Sequence, residues 1–123
     1  MPLWVVPLCF GLTVLAELAL KLVLPHAGPQ QALSRSFLDL PTVPTPYSFP
    51  SGHVARVTFL ALLAGALWPS RAVRWAAVAV VGLTVWARVY IGDHWVSDAL
   101  GGLVLGAALA WLALALISRT RGR

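Results

Sequence analysis

Charge is scarce in this chain. Of its 123 residues, 4 are acidic and 9 are Lys or Arg, so 11% are charged against 59% hydrophobic. A soluble domain carries about 25% charged residues, which excludes a water-exposed globule. Cysteine is nearly absent as well. Cys9 stands alone inside an apolar run, so no intramolecular disulfide can form and a packing role is expected. No His or Cys pair has the local spacing of a metal site, so neither a metal nor another cofactor is expected. The net charge of +5 does not point to nucleic acid. The basic residues sit at the ends of apolar blocks, where membrane proteins carry them.

What is present is long apolar blocks. A bilayer needs about 20 residues of helix. The first block, from about Leu3 to Leu24, is long enough to span. It lacks a basic leader and a small-residue cleavage site and carries Glu17 and Lys21, so it reads as a spanning helix rather than a signal peptide. Glu17 and Lys21 are four apart and can pair on one face. Further helices are expected from Gly52 to Trp68, from about Ala72 to Ile91 and from about His94 to Ile117. In the last, Gly102, Gly106 and Ala110 form a small-residue stripe that lets another helix backbone come close. The expected fold is therefore all-α, a single integral membrane bundle of about four transmembrane helices over residues 1–123. The long loop from Pro25 to Pro50 is rich in proline. Only Gln30 to Leu38 within it could form a turn or two of helix, and its position suggests a lid or an entrance.

Four spans alternate sides. Arg71 and Arg74 share a side with Arg119, Arg121 and Arg123, while Arg35, Asp39, Lys21, Arg56 and Arg88 lie toward the other. The positive-inside rule then places both termini in the cytoplasm. It follows that Ser51-Gly52-His53 and Arg88 to Asp98 share the extracytoplasmic face.

Two short stretches carry chemistry. Pro50-Ser51-Gly52-His53 opens the second helix. Ser51 can cap it, Gly52 lets an anion approach the backbone, and the unpaired N–H groups of a helix start suit phosphate. In the second stretch His94 and Asp98 are four apart, so the carboxylate can orient the imidazole as it would a nucleophile or base. Arg88 precedes His94 with five residues between them.

In this order and spacing, the two stretches resemble the type 2 phosphatidic acid phosphatase (PAP2) superfamily. Its pattern is K-x6-R-P, then P-S-G-H, then S-R-x5-H-x3-D. The last two motifs fit, with Ala87 replacing the serine. The first fits partly: Lys21 is followed after six residues by Gly28-Pro29, so glycine stands where arginine is usual. The resemblance implies that His94 attacks phosphorus, Asp98 orients His94, and His53 protonates the leaving group. It also implies that Lys21, Ser51, Gly52 and Arg88 hold the phosphoryl oxygens. Membrane members typically have six helices, and this chain reads as a shortened version. The function implied is a metal-independent membrane lipid phosphatase acting at the outer face through a phosphohistidine. Its substrate would be polyprenyl diphosphate, phosphatidate or phosphatidylglycerol phosphate. The alternative is a catalytically weak relative that binds lipid phosphates or supports a partner. A homo-oligomer is compatible with either. Arg56 lies one turn after His53 in an otherwise apolar run, so it is the expected replacement for the cation missing at Gly28; the alternative is an Arg56 that reaches the lipid headgroups, with Arg35 as the next candidate cation.

Overall fold

The computed structural model describes residues 4–29 and 47–121. The turn expected within Gln30 to Leu38, and the charges Arg35 and Asp39, lie outside the described residues. Among the described residues four helices follow one another: α1 (Val5–Val23), α2 (Gly52–Leu67), α3 (Arg71–Ile91) and α4 (Val96–Arg121). An isolated bridge between Ala27 and Tyr47 joins the two ends flanking the loop. Among the described residues there is no strand. The all-α membrane bundle is as expected, with one adjustment. Val5–Val23, Arg71–Ile91 and Val96–Thr120 are long and apolar enough to cross a membrane, whereas α2 has 16 residues. At 1.5 Å per residue α2 reaches about 24 Å, short of an apolar layer about 30 Å thick.

The helix boundaries have local causes. Ser70 caps α3, its hydroxyl accepting the Val73 N–H at 3.1 Å. Gly92 ends α3 in the left-handed region at φ 87°, which favours glycine. Ser51 precedes α2, but its hydroxyl makes no capping bond, contrary to expectation. The start of α4 is also later than expected. Trp95 stands at its N-cap position, and Asp98 accepts the Trp95 N–H at 2.8 Å. That is the returning half of a capping box, so the helix begins at Val96 and leaves His94 outside it.

The core lies between α1, α2 and α4. Val5, Cys9, Phe59, Leu63, Ala110, Ala113 and Ile117 form one buried cluster, so Cys9 packs as expected. The glycine stripe of α4 lies against α2. A side chain at Gly102 would meet the Ser51 carbonyl, and one at Gly106 would meet the Ala55 carbonyl and Thr58. At these two positions the close approach of the α2 and α4 backbones needs glycine. Helix α3 packs on α2 and buries no residue fully. Its Trp75, Val78, Leu83 and Trp86 are exposed, which suits a helix whose solvent is lipid.

Candidate active site

The buried face of α1 is a single stripe at every fourth residue: Val5, Cys9, Thr13, Glu17 and Lys21. It begins in the apolar core and ends in charge. Beside its charged end stand the start of α2, the end of α3 and the start of α4. The Ser51 N–H donates to the Asp98 carbonyl at 2.9 Å, which ties the first turns of α2 and α4 together. Helix alternation thus does bring the two chemical stretches to one end of the bundle.

Glu17 is buried, with its side chain 3% exposed, and holds two cations. Its carboxylate pairs with Lys21 at 2.9 Å within α1 and with Arg56 at 2.6 Å across to α2. The Glu17–Lys21 pair is the one that the spacing predicts. The link to Arg56 is not legible from the sequence, because the two residues lie 39 positions apart. Arg56 therefore turns into the polar cluster. The same carboxylate also explains Gly52. A Cβ at position 52 would collide with the carboxylate group of Glu17, so the anion that the missing side chain admits is one of the protein's own. Arg88 pairs with Asp93 at 3.0 Å.

His53 lies half-buried within electrostatic reach of Arg88, Arg56, His94 and Glu17. Asp98 is fully buried between two imidazoles, with His94 Nδ1 at 3.7 Å and His26 Nε2 at 3.6 Å. The i, i+4 spacing of His94 and Asp98 predicts a hydrogen bond, and 3.7 Å is too long for one. The reason is the late start of α4, since His94 is in the turn and does not follow helical geometry. Catalytic hydrogen bonds are often long before substrate arrives. Burial holds the His94 imidazole below its usual titration range. Asp98 opposes this, Lys21 adds to it, and Asp93 and the Ser48 backbone oppose it more weakly.

His26 is the residue that sequence reasoning missed. It is a lone histidine after α1, and its contact with Asp98 spans the whole chain between them, so no local pattern announces it. Its carbonyl accepts from the Ser48 N–H at 2.8 Å and the Ser48 hydroxyl at 3.2 Å. The Trp95 indole donates to the next carbonyl, that of Ala27, at 3.0 Å. These bonds clamp the segment after α1 over the turn that carries His94. Gly28 lies in the same place, with Ser48 and the Asp93 carbonyl around its Cα. An open cleft of about 400 Å³ lies alongside, lined by Val23, Leu24, Pro25, His26, Phe49 and Ser97.

Several buried polar atoms here have no hydrogen-bond partner among the described residues: Ser51 Oγ, His94 Nδ1 and Asp98 Oδ1. Buried polar groups are nearly always satisfied, and a polar ligand could satisfy these three; Thr58 Oγ1, further along α2, is likewise without a partner. Among the described residues, no group of three or more His, Cys, Asp or Glu is arranged to hold a metal ion. Cations, a helix start and two imidazoles around one buried end are the equipment for binding and cleaving a phosphate ester.

The class defined so far is a multi-pass helical membrane protein with histidines and charged side chains gathered at one end of the bundle. The particular family follows from comparison: residues 2–121 match the PAP2 superfamily, and the chain belongs to it. A lipid A 4'-phosphatase of Porphyromonas gingivalis is 33% identical over 60 residues, covering 49% of this chain and 25% of that protein. An undecaprenyl-diphosphatase of Sulfolobus acidocaldarius is 32% identical over 105 residues, covering 82% of this chain and 48% of that protein. The crystal structure of a transmembrane PAP2 type phosphatidylglycerolphosphate phosphatase from Bacillus subtilis superposes with a TM-score of 0.72 at 28% identity. It covers 93% of this chain and 58% of that one. The chain thus spans between 25% and 58% of the length of these three relatives.

Proposed function

We propose that the protein is a lipid phosphate phosphatase that works through a phosphohistidine, without a metal, at the extracytoplasmic membrane face. The observation that carries this reading is the convergence of His53, His94 and Asp98 with Lys21, Arg56 and Arg88 at one end of the bundle. The relatives support it, since all are phosphatases by name and the named substrates are lipids.

In the proposed reaction His94 attacks the terminal phosphorus, and the bond from phosphorus to the leaving oxygen breaks, that oxygen belonging to the lipid alkoxide of a monophosphate or to the lipid monophosphate of a diphosphate. His53 delivers a proton to the leaving oxygen where it departs as an alkoxide or phosphate. Water then attacks the phosphohistidine, His53 takes the water proton, and the P–N bond breaks to release phosphate. Asp98 stabilises the charge that His94 acquires. Lys21, Arg56, Arg88, Ser51 and the Gly52 amide hold the phosphoryl oxygens. Phosphoryl transfer needs mainly positioning and charge neutralisation, and side-chain cations can supply both. The cleft beside His26 has apolar walls from Val23, Leu24, Pro25 and Phe49, which suit the first part of a lipid chain. Polyprenyl diphosphate, phosphatidate and phosphatidylglycerol phosphate all fit that description.

One observation favours a second reading, a binding protein with little turnover: glycine stands at position 28, and each of Lys21, Arg56 and Arg88 is matched by a carboxylate. Phosphate release from a panel of lipid phosphates by the purified protein separates the two. The phosphatase reading expects turnover, inhibition by vanadate, and acid-labile phosphate on His94 after brief exposure to substrate. Lipid phosphate binding with no release would favour the second reading. The side of the membrane has its own test. A reporter after Arg123 is expected in the cytoplasm and a cysteine placed within residues 30–38 is expected to be labelled from outside; the reverse pattern would move the site to the inner face.

A further inference from the structure

We propose that Glu17 is a positioning residue of the phosphoryl site. Its carboxylate fixes Lys21 and Arg56 at the amino end of α2, and it lowers the positive charge that the site presents to free phosphate. This rests on the phosphatase reading.

Glu17 lies in an apolar spanning helix, where a buried charge is costly and usually functional. It bridges two helices, with Lys21 at 2.9 Å on α1 and Arg56 at 2.6 Å on α2. Stability alone is a weak reason for such a group, because apolar residues of similar volume often serve a buried position as well. Geometry supplies a better reason. Lys and Arg side chains carry large rotamer freedom, and a phosphoryl site gains when its cations are set before substrate arrives. Glu17 sets both, and it is seated against Gly52, where the start of α2 offers its free N–H groups.

Charge supplies a second reason. Among the described residues, Lys21, Arg56 and Arg88 contribute three positive charges and Glu17, Asp93 and Asp98 three negative ones, a net of zero with the imidazoles neutral. Without Glu17 the site would carry a surplus of one positive charge. A site with that surplus would hold the phosphate product more tightly, and binding ground state and transition state alike does not raise kcat. Glu17 therefore favours release as well as positioning.

The test compares wild type, Glu17→Gln and Glu17→Asp, purified in detergent, by kcat on a lipid phosphate and by calorimetric binding of inorganic phosphate. Gln keeps the shape and removes the charge. It is expected to lower kcat about 10- to 100-fold, the range seen when partners that orient metal ligands are removed, while phosphate binds several-fold more tightly. Asp keeps the charge and shortens the reach, so phosphate affinity is expected to stay near wild type while kcat falls. A folding defect alone would lower the active fraction without tightening phosphate binding. Unchanged phosphate affinity in Glu17→Gln, whatever its kcat, would overturn the charge role, and unchanged kcat would overturn the positioning role. If wild type releases no phosphate from any lipid, the phosphatase reading falls by itself, and the calorimetric comparison still decides whether Glu17 tempers the anion site.

Discussion

The two ends of the α1 stripe live in different chemistry. At one end Val5 and Cys9 join Phe59, Leu63, Ala110, Ala113 and Ile117 in a cluster of carbon and sulfur. At the other end Glu17 and Lys21 join Arg56, Ser51, His94 and Asp98. Both ends are buried, and both are built from the same helices. Only the apolar end is easy to bury, since each polar group at the other end needs a partner or it destabilises the fold. The partners there come from separate segments, with Glu17 meeting Arg56 and Asp98 facing His94 and His26. The bundle is thus packed by carbon at one end and tied by charge at the other. Mutations should separate the two functions accordingly.

The largest expected effect on activity comes from His94→Ala. Removing the proposed nucleophile would eliminate the proposed covalent route, so turnover is expected to vanish while circular dichroism and gel filtration in detergent stay as in wild type. Phe59→Ala is the matching change at the apolar end. Loss of a buried Phe costs about 3–5 kcal/mol in water-soluble cores. Lipid is itself apolar, so here mainly the packing contacts are lost and the cost should be lower. Thermal stability should fall, with kcat per folded molecule retained. If Phe59→Ala loses turnover at full stability, the two ends are not independent.

Gly106→Leu is expected to damage both ends together. Its side chain would collide with the Ala55 carbonyl and Thr58, forcing α4 from α2 and pulling Asp98 from Ser51. Gly82 has no neighbouring atom within 4 Å of a Cβ, so Gly82→Ala is the control and should leave the melting temperature and activity near wild type.

Within the polar end, Arg56 tests how the site manages with glycine at position 28. Its guanidinium fork can bind two phosphate oxygens, which a lysine cannot reproduce. Arg56→Lys is expected to lose roughly 2–4 kcal/mol of transition-state binding, by comparison with removal of other oxyanion donors. Adding Gly28→Arg should restore part of that. The restoration is limited because a Cβ at 28 would stand 3.2 Å from the Ser48 Cβ, so Ser48 must give way slightly. Wild-type kcat/KM in Arg56→Ala would remove Arg56 from the site.

The sequence made the apolar end and the helices legible because composition and spacing are local signals. The glycine stripe, the end of α3 at Gly92 and the packing role of Cys9 followed directly. The polar end was legible only as a set of residues. Their pairing was not, since Glu17 meets Arg56 and His26 meets Asp98 through contacts between distant segments. Two local expectations failed. The hydroxyl of Ser51 was expected to cap α2, and nothing in the structure explains why it does not. His94 was expected inside α4, but the carboxylate of Asp98 closes the start of that helix on Trp95. That role of Asp98 cannot be seen until the helix start is known.

The smallest expected effect, and the one that probes the polar end most finely, is on pH dependence. In the proposed reaction His94 must be neutral to attack. A free histidine titrates near ~6.5, and burial moves His94 below that value, with Asp98 pulling it back. A lowered value means that the neutral, active form survives to lower pH, so the acid limb of the rate profile should fall below ~6.5. Asp98→Asn removes the charge that favours imidazolium. The acid limb should therefore move further down, even as the maximum rate drops through loss of orientation. His26→Asn should leave the limb nearly in place if Asp98 serves His94 first. A limb that moves as far in His26→Asn as in Asp98→Asn would mean that the buried carboxylate is divided between the two imidazoles, and that His26 belongs to the reaction rather than to its margin.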